Sequence, residues 1–209
     1  MVRIVNIGKW LMVLMSVISL AGQPPPPGRG PAPPPPEPGG PPPPGGRQGV
    51  RQRLTEAKPA GEAPSKMLAL ARTYLEKSES LQLGSPFAAT RILSAADALI
   101  RAAEHQQHLG QKEGPPPPDN AEITRHLDRV YFRLQQADYF VKQSGDPNAQ
   151  AIADLARQYY QGALRASDKG DLRTADECAK STDELMRALE NLALSTALPP
   201  RPGPEPRRQ

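Results

Sequence analysis

The sequence predicts an all-α fold: an up-and-down helical bundle of about five helices, flanked by disordered Pro-rich segments. Three observations predict it. Within residues 64–198, proline occurs at 64, 86, 115–118 and 147, and each site falls where an apolar helical pattern breaks. Proline lacks the backbone N–H and clashes with the preceding turn, so it is tolerated in a first helical turn and disfavoured inside. Apolar residues in this region recur at spacings of three and four without sustained alternation, so no sheet is predicted. Finally, "LARTY" at 70–74 returns as "LARQY" at 155–159, the mark of an internally duplicated helical hairpin.

The chain opens with "MVRIVNIGKWLMVLMSVISLAGQ". Arg3 and Lys9 give a basic start, Trp10 to Gly22 is uncharged and mostly apolar, and Ser19-Leu20-Ala21 sets small residues at cleavage spacing. Residues 1–21 therefore read as a secretory signal peptide. The apolar run is 13 residues, against the roughly 20 that a membrane-spanning helix needs; an uncleaved anchor is the alternative. No second run of spanning length follows, so no transmembrane helix is expected after cleavage. Residues 22–63 are expected to form a disordered spacer. Its Pro/Gly tract "PPPPGRGPAPPPPEPGGPPPPGG" favours extended polyproline II and reaches roughly 70 Å at about 3.1 Å per residue. Docking on an aromatic groove is the other use such a tract has. Residues 47–63 are polar and read as poorly ordered, and the basic tail "PPRPGPEPRRQ" (199–209) as disordered.

Residues 64–198 form the expected domain, with helices at about 65–83, 86–109, 119–144, 147–168 and 171–196. "GSP" at 84–86 reads as a glycine stop, a Ser85 cap and Pro86 in the first turn. "SGDP" at 144–147 repeats this with Asp146 as cap, and "KGD" at 169–171 with Asp171. The third helix carries the stripe Ile123, Leu127, Val130, Leu134, Ala137, Val141, spaced to bury one face. Cys178 is the single cysteine. It permits no intramolecular disulfide in a chain read as exported, and its inward position predicts a buried, inert thiol.

The repeat extends beyond the pentapeptide. Leu70, Ala71, Arg72 and Tyr74 match Leu155, Ala156, Arg157 and Tyr159. One residue later in offset, Gly84, Ala89, Asp97, Leu99, Arg101, Ala102 and Glu104 match Gly170, Ala175, Asp183, Leu185, Arg187, Ala188 and Glu190. Residues equally far from a hairpin turn face each other, which predicts cross-helix pairs of Arg72 with Asp97 and Arg157 with Asp183. Arg101 and Arg187, four residues along the same helix, are the competing partners.

Three histidines, His105, His108 and His126, lie where a loop folds two helix ends together. Imidazoles three apart on a helix suit Zn, Cu or Ni, so these residues are the candidate metal site; an ordinary polar helix end is the other reading. Tyr131, Phe132, Tyr139 and Phe140 form a recurrent aromatic row on the third helix. It is read as core and boundary packing or, in part, as a partner face. No Gly-rich phosphate loop, HExxH, CxxCH or GxSxG occurs, so neither an enzyme nor a cofactor is expected. Residues 64–198 hold 16 Lys+Arg against 18 Asp+Glu, a net −2, while the overall charge is +4. The basic excess lies in the flanks, which argues against nucleic acid as partner.

The expected function is therefore that of an exported, periplasmic or extracellular, non-enzymatic bundle. It is tethered by its spacer and binds a protein, an envelope polymer or a second copy of itself. An exported metal-binding bundle using the three histidines is the alternative.

Overall fold

Breakers and stripes resolve into helices throughout the part of the chain that the computed structural model describes: residues 46–59, 61–109, 116 and 118–197. The expected signal peptide, the spacer up to residue 45 and the tail from 199 lie outside the described residues. Seven helices form among those described: α1 (Arg47–Glu56), α2 (Glu62–Ser80), α3 (Pro86–Gln107), α4 (Asn120–Leu134), α5 (Ala137–Ser144), α6 (Ala149–Asp168) and α7 (Leu172–Ser195). No strand occurs among them, and no helix is long and apolar enough to cross a membrane.

Two expectations are corrected. Residues 47–63, read as spacer, contain α1 and the start of α2. A ten-residue polar helix has too little propensity to stand alone. Val50 and Leu54, four apart, are nevertheless buried, and α1 packs on α2 and α3. The single helix expected at 119–144 is two. Gln136 N–H bonds to Arg133 O at 2.9 Å, a step of three rather than four. α5 continues along α6 and α7, on which α4 also packs, and Leu134, Ala137 and Val141 stay on the core side of the turn.

Local chemistry sets the other boundaries. Asp119 caps α4 in a full capping box with Glu122, and Asp171 accepts from Thr174 N–H to cap α7. Between α6 and α7, Asp171 N–H reaches Ala166 O and Gly170 N–H reaches Ser167 O, both at 2.9 Å. This paired closure requires a left-handed residue, and Gly170 supplies it at φ 74°. Ser85 precedes Pro86 but makes no side-chain cap bond. Asp146 lies ahead of α6, whose cap position is Asn148; its carboxylate accepts from Asn148 N–H at 3.0 Å.

Packing centres on α7, which contacts α3, α4, α5 and α6. Arg91 meets Asn191, and Gln106 meets Ser181, so α3 and α7 run antiparallel. His126 meets Asp176 and Arg133 meets Asp183, so α4 runs parallel to α7. The result is helical-bundle-like. Alanines 95, 96, 102 and 103 of α3 and 175, 179 and 188 of α7 are fully buried. These small residues let the two backbones approach until the Ser181 hydroxyl lies 3.2 Å from Ala102 O. Leu99, Ile100, Leu185, Met186 and Leu189 fill the space around them, each adding about 1.5–3 kcal/mol of burial.

Candidate functional site

The three histidines do not share one site. His105 Nδ1 lies 2.9 Å from Glu177 and His126 Nδ1 lies 3.3 Å from Asp176, two adjacent carboxylates on α7. Lys180 sits one turn on and binds both, at 2.7 Å to Asp176 and 3.1 Å to Glu177. Burial pushes the Asp176 carboxyl up, but hydrogen bonds from His126 and Lys180 outweigh it and leave it below its ordinary range. For Lys180, burial works against the ammonium and the two carboxylates prevail, raising it. The ammonium thus pairs with the carboxylates that also hold the two imidazoles. Among the described residues no group of three or more His, Cys, Asp or Glu is arranged to hold a metal ion. The cluster ties α3 and α4 to α7; His108 stands just past the end of α3.

The expected Arg–Asp facing is replaced by a different arrangement. Arg72 is exposed on α2, and Asp97 is held instead by Arg53 of α1 and, at 2.6 Å, by Arg101. Arg157 pairs with Asp138 at 2.6 Å and Asp154 at 3.0 Å. Asp183 is held by Arg133 of α4, with Arg187 at 3.6 Å. Equal distance from a turn gives the height of a residue along a hairpin but not the side it faces. The aspartates point away from their own hairpin, toward the helix packed behind it.

The two aspartates are nonetheless treated alike. Arg53 also approaches Glu104 at 3.7 Å, and Arg133 approaches Glu190 at 3.3 Å. The acceptor helices read Asp-x-Leu-x-Arg-Ala-x-Glu at 97–104 and again at 183–190. The donor helices also match: Val50, Arg53, Leu54 and Ala57 correspond to Val130, Arg133, Leu134 and Ala137. That second match was legible in the sequence. It was missed because α1 follows directly on a Pro/Gly tract.

A further polar tie fixes α2 to the turn before α6. Tyr74 is fully buried. Its hydroxyl donates to Asp146 Oδ1 at 2.8 Å, and Lys77 donates to Oδ2 at 2.9 Å. Burial raises the Tyr74 hydroxyl, reinforced by the Asp146 bond. Burial also pushes Asp146 up, but bonds from Lys77, the Asn148 N–H and Tyr74 outweigh this and lower it. Cys178 is buried as expected, and that burial pushes its thiol up, away from nucleophilic use. An open groove of about 480 Å³ between α2 and α6, walled by Leu70, Leu155, Lys66 and Asp154, carries no converging reactive groups.

Apart from Leu83 in the turn after α2, the large apolar side chains left exposed among the described residues are aromatic. Tyr131 is 46% exposed, Phe132 70% and Tyr139 61%, all on α4 and α5. Tyr131 contacts Phe132 edge-on at 6.1 Å and Tyr160 at 6.0 Å, and Tyr139 meets Phe140 edge-on at 5.7 Å. Phe140 is half-buried against the core, so of the four residues it is the packing member. At the matching places on α1 stand Arg51 and Gln52, which bond Glu79 and Glu56. A helix in this setting therefore does not need aromatic residues at those two places to pack. This face is the candidate functional site, and its chemistry is that of apolar and stacking contact rather than bond making. No protein-family model, no curated protein and no solved structure matches the chain.

Proposed function

We propose that the chain is an exported, non-enzymatic helical-bundle protein of the cell envelope that binds another macromolecule through the α4–α5 aromatic face. The observation that carries this reading is the exposure of Tyr131, Phe132 and Tyr139 on neighbouring helices. Exposed large aromatic residues of this kind are enriched where interfaces hold their energy. Export is supported by the basic-then-apolar opening and by Ser19-Leu20-Ala21. The Pro/Gly tract supports a tethering spacer.

The bundle is up-and-down and arose by duplication, and the duplicated unit is larger than a hairpin. It has three helices: α1–α2–α3 in one copy and α4–α6–α7 in the other, with α5 an addition to the second. The repeated Asp-x-Leu-x-Arg-Ala-x-Glu stretch and the repeated Val-x-x-Arg-Leu-x-x-Ala stretch support this, as does the clasp they form together in each copy. Copy one keeps the solvated form of the donor helix and copy two the aromatic form, so binding is assigned to copy two.

The experiment is affinity capture from an envelope extract, with the full chain beside a variant carrying Tyr131→Ser, Phe132→Ser and Tyr139→Ser. The expected result is a discrete partner retained by the parent and lost by the variant, with the melting temperature of both alike. Capture that survives the triple substitution would show that the partner surface lies elsewhere.

A further inference from the structure

The exposed rings belong to a longer strip. Arg125, Arg129, Phe132, Gln136, Tyr139 and Gln143 follow one another at spacings of four and three, and all are exposed, the pattern of one continuous helix side. Arg125 uses only its Nε, on Ala121 O at 3.2 Å. Arg129, and Lys142 beside Tyr139, form no ion pair among the described residues. The neighbouring carboxylates are taken: Asp138 by Arg157, Glu122 by the cap of α4, Asp176 by His126 and Lys180. Asp128, exposed between Arg125 and Phe132, is the acid left against three cations. We propose that this strip binds an acidic glycan, a carbohydrate chain bearing carboxylates, whose sugar rings lie on Phe132 and Tyr139 and whose carboxylates meet Arg125 and Arg129. This rests on reading the α4–α5 face as the binding surface.

The side chains present match that ligand part by part. A pyranose ring has a flat face of C–H groups and a rim of hydroxyls, so it needs an aromatic platform with hydrogen-bonding groups beside it. Phe132 and Tyr139 are the platforms, and the Gln136 and Gln143 amides, each both donor and acceptor, stand beside them. A guanidinium fork binds a carboxylate through two parallel bonds. Arg125 and Arg129 border an open hollow of about 380 Å³ in which such a carboxylate fits. From Arg125 to Tyr139 is a rise of about 21 Å along helix, long enough for several sugar units in a row. A lipid surface is the poorer match, because it would strip water from amides lying between the rings and return no hydrogen bonds. A protein partner would set those same amides in the water-free centre where interface rings gather. The strip is also peculiar to the second copy: Gly49, Gln52 and Glu56 of α1 stand where Arg129, Phe132 and Gln136 stand in α4 and the turn after it.

The test is retention of the full chain in native gels containing polygalacturonate or hyaluronan, with dextran and polyaspartate gels as controls. Both uronate polymers should retard the parent, and dextran and polyaspartate should not. Arg125→Gln with Arg129→Gln, and Phe132→Ser with Tyr139→Ser, should each weaken retention about tenfold, with the melting temperature unchanged because all four side chains are exposed. No retardation by either uronate polymer overturns the inference. Equal retardation by polyaspartate overturns it too, because charge alone would then suffice, as does retention that ignores either pair of substitutions. Binding to phosphatidylglycerol vesicles without binding to the uronate polymers assigns the face to a lipid surface and also overturns it. Partner capture separates this from the broader reading. Capture lost on substituting Tyr131, Phe132 and Tyr139, with no uronate polymer bound, leaves the binding face standing and removes only the glycan.

Discussion

The Tyr74–Asp146 bond offers the sharpest test of how the first half of the chain is joined to the second. Tyr74→Phe removes one hydroxyl from a fully buried ring and leaves the ring's packing in place. Asp146 is not orphaned, because Lys77 at 2.9 Å and the Asn148 N–H at 3.0 Å remain. The loss is therefore that of one hydrogen bond to a charged acceptor. Such bonds contribute about 1.5–3 kcal/mol, and the retained partners place this one near the lower end. For a domain of this size the melting temperature falls by roughly 3–6 °C at pH 7.

The effect has a pH signature with a defined sign. Asp146 is lowered in the folded chain, so its stabilisation is full above its unfolded value of about 3.9 and is lost as pH falls through the folded value. The gap between parent and Tyr74→Phe should stay constant from pH 7 to about 4 and narrow below it, as the acceptor becomes neutral. Thermal unfolding followed by circular dichroism, from pH 3 to 7, measures this. A gap that is absent at pH 7, or as large at pH 3 as at pH 7, would refute the reasoning.

Three other outcomes are expected. Arg53→Met and Arg133→Met should each cost about 1–2 kcal/mol in chemical denaturation, because both break half-buried clasps of the same composition; a loss confined to one would argue against a shared unit. Gly170→Ala should cost about 1 kcal/mol by the same measurement, from the left-handed backbone alone, since a Cβ there meets nothing within 4 Å. Cys178 should resist a thiol reagent such as a disulfide dye in the native protein and react fully in denaturant, because its thiol is buried and raised.

Periodicity and breakers determined much of this protein without reference to its tertiary structure. Stripes at three and four marked the helices from α2 onward. Pro86, Gly145, Asp171 and the other punctuation placed most boundaries within a few residues. Cys178 read as inward because its neighbours Ala175 and Thr182 share its stripe. These features are local: they depend on which residues follow one another along a single helix. Facing is not local. Asp97 and Asp183 pair with Arg101 and Arg187 along their own helices, the competing reading, but across helices they meet Arg53 and Arg133 rather than Arg72 and Arg157, because α1 and α4 pack behind the hairpins. The burial of Val50 and Leu54 made α1 a helix that its own composition would not sustain. Lys180, invisible as a site in sequence, pairs with both Asp176 and Glu177, the carboxylates that hold His126 and His105. The exposure of Tyr131, Phe132 and Tyr139 was likewise decided only by which sides of α4 and α5 pack on α6 and α7. A sequence sets which side of a helix is apolar, whereas the neighbours that cover that side, or leave it bare, come from packing of segments far apart in the chain.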